Sequence, residues 1–166
     1  GNNIGDAGAA AIGDGLKRNA AVTELGLTSN NIGPSGASAI AEALEVNATM
    51  AALDLGSNHL GPLGASAIGA ALKGNATLTE LWVGGNNSGP SGAAGIAEAV
   101  KVNATMTLLS LEANDIGDVG ATALGKALAV NATLTVLSLT GNKLSEESRA
   151  KLRELEATRP TLKICH

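Results

Sequence analysis

A chain of 166 residues with 22 Gly, one Trp and neither Phe nor Tyr suits one domain with a core of small side chains, so its backbones must pack close together. A net charge of −4, no basic run and almost no aromatic surface argue against a nucleic-acid groove, which needs Lys/Arg clusters and stacking rings. No apolar run approaches the length of a membrane span, and the lone Cys165 leaves no internal disulfide and fits a reducing, cytoplasmic setting.

Taken along the chain, the residues fall into units of 28. The first stretch, 1–21, enters in mid-unit: "GNNIGDAG" begins after the point where a strand would lie. The expectation is therefore a missing segment upstream, the chain being the C-terminal part of a longer array or a truncated one. Units follow at 22–49, 50–77, 78–105, 106–133 and 134–161, with a final strand at 162–166. Asn2, Asn30, Asn58, Asn86, Asn114 and Asn142 mark the period. Asn19, Asn47, Asn75, Asn103 and Asn131 repeat it in a second series, and Gly5, Gly33, Gly61, Gly89 and Gly117 in a third. The reading carries this register unbroken to the end of the chain.

Each unit has two halves. Around Leu25 and Leu27 apolar residues alternate, which predicts a short strand with both leucines on one face. Gly36, Ala39, Ile40, Ala43 and Leu44 then form the i, i+3, i+4, i+7 stripe of a helix. Pro34 sits in its first turn, and Asn47 is expected to end it in a left-handed conformation. Parallel strands lie about 4.8 Å apart, whereas helices approach no closer than about 8–10 Å. The helices are thus forced to the outside of an arc. The fold class expected is α/β, a right-handed solenoid in horseshoe form, with a parallel sheet on the concave face and helices on the convex face. In the last helix, "SEESRAKLRELEA", polar Ser148 and Lys151 replace Gly/Ala positions and Glu156 a Leu/Val position, as a C-terminal cap facing water requires.

Leu25, Leu27, Asn30 and Ile32, preceded by Val22, spell "LxLxxNxI". This resembles the leucine-rich repeat motif. The 28-residue unit and its "GxxGAxAIAxAL" helix are similar to the ribonuclease-inhibitor-like subclass, which includes ribonuclease inhibitor, the Ran GTPase-activating protein and the sensor regions of NOD-like receptors. The resemblance implies that the asparagines of the first series form an internal ladder. It implies a binding module, with the sensor end of a cytosolic receptor or regulator as one version. GTPase activation is an alternative, although the long acidic tail of the Ran GTPase-activating protein has no counterpart here.

Three sets of residues invite other readings. "NAT" at Asn47, Asn75, Asn103 and Asn131, and "NNS" at Asn86, are formal glycosylation triplets, but their fixed place in the unit points to capping. His59 and His166 lack partners at metal or triad spacing, and no phosphate loop is present, so neither catalysis, a metal nor a cofactor is expected. Cys165 falls, by the 28-residue register, at the core position of Leu25, Leu53, Leu81, Leu109 and Leu137, and reads as a buried hydrophobe.

The strand positions between core leucines face the hollow and vary from unit to unit, so packing does not dictate them. They include Asp54, Glu80, Trp82, Leu108, Ser110, Glu112 and Val136, taken as the partner-binding set. Trp82 should stand exposed on the inner wall, with Gly56, Gly84 and Gly85 leaving the wall bare beside it. Leu108, Val136 and Ile164 should extend an apolar strip, and Glu24, Asp54, Glu80 and Glu112 make the wall acidic. A basic or amphipathic protein or peptide is the partner this favours. Ser88, where other units carry Ile or Leu, should loosen the core beneath. Self-association through the N-terminal edge is a further expectation.

Overall fold

The computed structural model describes all residues, Gly1–His166. Six helices alternate with six strands: α1 (Gly5–Leu16), β1 (Glu24–Gly26), α2 (Pro34–Val46), β2 (Ala52–Asp54), α3 (Gly61–Leu72), β3 (Glu80–Trp82), α4 (Gly89–Val100), β4 (Leu108–Ser110), α5 (Gly117–Leu128), β5 (Val136–Ser138), α6 (Glu146–Thr158) and β6 (Lys163–Cys165). The strands form one parallel sheet in chain order, β1 to β6. Each is three residues long, so each offers one inward and two outward side chains. The inward residues Leu53, Leu81, Leu109 and Leu137 are sealed in the core. Val22 and Leu25, at the β1 edge, are half-buried.

The helices pack closely because glycine faces alanine. A Cβ placed on Gly36 would lie 2.9 Å from Ala9 Cβ, one on Gly64 2.8 Å from Ala37 Cβ, and one on Gly92 2.9 Å from Ala65 Cβ. The sixth helix carries Ser148 at this position. There α6 stands off from α5, and a groove of about 300 Å³ opens between Ala121, Gly125, Leu152 and Leu155.

Two asparagine ladders join the units. Asn58 shows the first: its Nδ2 donates to Leu27 O (2.9 Å) and Leu55 O (2.9 Å), while its Oδ1 accepts from Asn30 N (2.9 Å) and Ile32 N (3.0 Å). Asn142 repeats the pattern in full, whereas Asn86 Oδ1 accepts from Leu60 N alone and Asn114 Nδ2 donates to Val83 O and Glu112 O; all three are buried. The second runs through the "NAT" residues. Asn75 Nδ2 donates to Leu44 O (2.8 Å), and its Oδ1 accepts from Thr77 N and Leu78 N. Asn47 is therefore not a left-handed helix end. Its backbone is extended (φ −74°, ψ 126°), because its amide must reach back to the preceding unit. The left-handed residues lie instead in the strand-to-helix turn, at Gly61 and Gly89 among others. In all five triplets the nitrogen a glycan would occupy is buried and donates to carbonyls.

At the next position of the second series stands Arg159. Its Nη1 donates to Leu128 O (2.8 Å), the carbonyl an asparagine would reach, and its Nη2 to Leu134 O (3.0 Å). Polar capping recurs in the first turns. Asp6 accepts from Gly33 N and Gly36 N at the start of α2, and Asp118 from Ser145 N at the start of α6. The Ser148 hydroxyl and the Ser145 N–H hold the Asp118 carboxyl below the usual carboxylate range.

The structure corrects a further expectation. The register slips by one residue in the last unit: Ile164 pairs with Leu137 and is buried, while Cys165 pairs with Ser138 and is half-buried. Leu162 is buried like Leu134, 28 residues before it, so one residue is lost between Leu162 and the strand. The larger Ile164 fills the core site, and Lys163 takes the outward place expected for Ile164. Ser88, expected to loosen the core, has a hydrogen-bond partner there. It is fully buried, and its Oγ donates to Asn114 Oδ1 at 2.8 Å.

Loss of the Asn114 amide strands Asn86 N, Ser88 N and the Ser88 hydroxyl at once, while Val83 O keeps Asn86 Nδ2. Asn114→Ala should destabilise by about 3–5 kcal/mol, whereas Ser88→Ala, which removes one donor from an acceptor still served, should cost about 1 kcal/mol. Urea midpoints measure both. Arg159→Ala should cost about 1–3 kcal/mol, with faster amide exchange in α6 and β6 than in the other elements.

Candidate functional site

The outward side chains of the sheet make two rows. One reads Glu24, Ala52, Glu80, Leu108, Val136, Lys163, and the other Gly26, Asp54, Trp82, Ser110, Ser138, Cys165, each residue in register with the next. Trp82 thus stands on the concave wall between Asp54 and Ser110, half-buried, with Leu81 and Val83 sealed behind it.

Open space lies beside it toward β1. A Cβ on Gly84 would come 3.4 Å from Glu112 O, an ordinary contact, and one on Gly56 3.0 Å from Asp54 Oδ1. A Cβ on Gly26 would meet nothing within 4 Å. The hollow is therefore on the β1 side. It encloses about 430 Å³ between Glu24, Leu25, Gly26, Ala52, Asp54, Glu80 and Trp82.

The carboxylates differ in freedom. Asp54 accepts from Thr28 Oγ1 (2.6 Å) and Gly56 N (2.8 Å), which fixes its direction. Glu112 accepts from Ser138 Oγ (2.5 Å). Glu24 and Glu80 project without an ion-pair partner. All seven ion pairs join side chains of helices and turns, as Lys17 with Asp14 and Glu42 or Lys143 with Asp115, and none involves a strand residue. The negative charge of the sheet face is left unneutralised.

Of the expected set, Asp54, Glu80 and Trp82 share the hollow. Leu108 and Val136 follow it as a half-buried apolar step. Glu112 lies beyond the end of β4 and is exposed. Ser110 belongs to the floor: it is 8% exposed, a short side chain between Trp82 and Ser138. Glu24, expected on the acidic wall but not in the partner-binding set, lines the same hollow with Gly26, since pairing in register brings β1 against β3 across β2. No group of three or more His, Cys, Asp or Glu side chains is placed to hold a metal ion, and no helix is long and apolar enough to cross a membrane.

Comparison with known proteins gives the following. The leucine-rich repeat family model matches residues 18–41, 46–69, 102–125 and 130–152, together more than half of the chain. The unmatched interval 70–101 holds Trp82 and Ser88, where the unit departs from its siblings. Among solved structures, leiomodin-1 actin-binding site 2 is similar with a TM-score of 0.77 at 23% identity, covering 89% of this chain and 87% of that one. The tropomodulin C-terminal domain from Caenorhabditis elegans has a TM-score of 0.77 at 13% identity, covering 92% of this chain and 93% of that one. At these identities the likeness is one of fold. No curated protein matches.

As the sole indole, Trp82 reports on the field around it. Caesium should quench its fluorescence more efficiently than iodide, because Asp54 and Glu80 concentrate cations within about a Debye length of 10 Å at 0.1 M salt. The ratio of the two quenching constants should be larger in the folded chain than in urea, and addition of 1 M NaCl should reduce it.

Proposed function

The chain belongs to the leucine-rich repeat family, and from that premise we propose that it is a non-catalytic protein-interaction module that receives a basic or amphipathic partner on its concave sheet face. The observation that carries this reading is the hollow itself. A half-buried Trp82 adjoins Asp54, Glu80 and Glu24, and no cation of the chain neutralises them. An arginine or lysine side chain laid there meets a ring face and carboxylates together, and both attractions strengthen as water is displaced. Leu108 and Val136 continue the surface with apolar area that a partner can cover.

Asp54, Glu80, Trp82, Leu108, Val136 and Glu112 are the contacts proposed, with Ser110 as floor. A cytosolic receptor or regulator would use such a module as its sensing part. Cytoplasmic location is part of the reading. It rests on the single, unpaired Cys165 and on the burial of every glycan-acceptor nitrogen. The similar leiomodin-1 region is an actin-binding site, which makes actin the first purified protein to try.

Pull-down with wild type against Trp82→Ala tests the face and seeks the partner together. Trp82→Ala should keep the far-ultraviolet circular dichroism of the parent and lose about 2 kcal/mol of affinity, roughly 30-fold. Leu63→Ser, on a helix with Leu63 76% exposed, should bind as wild type. Full affinity in the Trp82 variant would place the partner elsewhere.

A further inference from the structure

The outward row nearest the start of each strand is chemically ordered. From β1 to β6 it reads Glu24, Ala52, Glu80, Leu108, Val136, Lys163. Two carboxylates come first, then two branched apolar side chains, then one ammonium group. The last place follows from the register slip, since an unbroken repeat would have put Ile164 there. Glu24 and Lys163 are exposed, Glu80 is half-buried, and none of the three is ion-paired within the chain.

We infer that this row binds a single partner segment in one polarity, with a basic end over Glu24 and Glu80, an apolar middle over Leu108 and Val136, and an acidic end at Lys163. The inference rests on the concave-face reading above and adds the order of charges along the partner. Covering the row removes water from all three ions. A uniformly basic segment would then set a cation against Lys163, and a uniformly acidic one would set anions against two carboxylates. An uncharged segment would leave every ion without a partner. Only the mixed order answers each group. With strands about 4.8 Å apart the row spans about 24 Å, the reach of about seven extended residues. The hollow of about 430 Å³ lies at the acidic end, where it has room for a long basic side chain beside Trp82.

Three fluorescein-labelled peptides of about twelve residues, with blocked termini and a shared Leu/Ala centre, test the order against the full chain by anisotropy. One carries Lys at one end and Glu at the other, one carries Lys at both ends, and one Glu at both. The mixed peptide should bind about threefold to tenfold tighter than the all-Lys peptide, and the all-Glu peptide weakest, in low salt. Lys163→Gln should level the first two, and Lys163→Glu should invert them. Equal binding of mixed and all-Lys peptides to wild type, no change of ranking in either Lys163 variant, or no binding of any peptide would overturn the polarity. Loss of the natural partner by Trp82→Ala would still stand in those cases, so the two readings fail separately.

Discussion

A buried primary amide with bonds to two neighbouring units holds this fold together. Asn58 joins the carbonyls of Leu27 and Leu55, one from the unit before it and one from its own, and closes the turn through the N–H groups of Asn30 and Ile32. A strand three residues long followed by a tight turn leaves backbone groups that no sheet ladder can serve, and burying them unpaired is costly. The asparagine amide has two donors and an acceptor on one short arm, which lets it serve the turn from inside. Each rung needs the next unit, so the stability of any turn depends on its neighbours and the array behaves as a one-dimensional chain. The second ladder performs the same task where helix gives way to strand, and Arg159 completes it with a longer side chain that reaches the same carbonyl from the last unit.

This internal bracing leaves the hollow free to vary. With turns fixed by asparagine and helix spacing fixed by glycine against alanine, the outward strand positions are released from holding the units together, and Asp54 alone also serves a turn N–H, that of Gly56. The third full unit makes most use of this freedom. It holds Trp82 on its wall, Gly84 and Gly85 after the strand, and Ser88 in place of the usual Ile or Leu. The serine is tolerated because the Asn114 oxygen lies within reach of its hydroxyl and already serves two backbone N–H groups. One rung thus gives both the turn and the altered core position a partner.

The 28-residue period made the strands, helices, core leucines and first ladder legible, because these repeat and repetition is visible without coordinates. What the period hid were interactions that replace a repeated residue by another with the same reach. Arg159 for asparagine is one, and Asp6 or Asp118 capping the helix of the following unit is another. The slip before β6 was hidden for a different reason. Leu162 stays in phase with Leu134, and the single lost residue only becomes apparent when Ile164 and Cys165 compete for one core site. Alternation placed Trp82 on the outward side of its strand, but did not show its half-burial against the neighbouring side chains. The shape of the hollow was not legible, because it depends on the side chains of β1 meeting those of β3 across a small Ala52.

Charge placement separates the two faces of the arc. On the convex side acids and bases answer one another at close range, Lys151 with Glu147 and Lys101 with Glu98 among them, and such exposed pairs add little to stability. The sheet face has no such compensation. Its carboxylates stand in a concavity walled by low-dielectric core, which focuses their field outward. The expected consequence is on approach more than on final affinity: a cationic segment is drawn in and oriented before any apolar contact forms, and Trp82, Leu108 and Val136 then decide how long it stays. Steering and retention thus fall to different residues on neighbouring strands, so raising the salt should slow association while removal of the indole should hasten release.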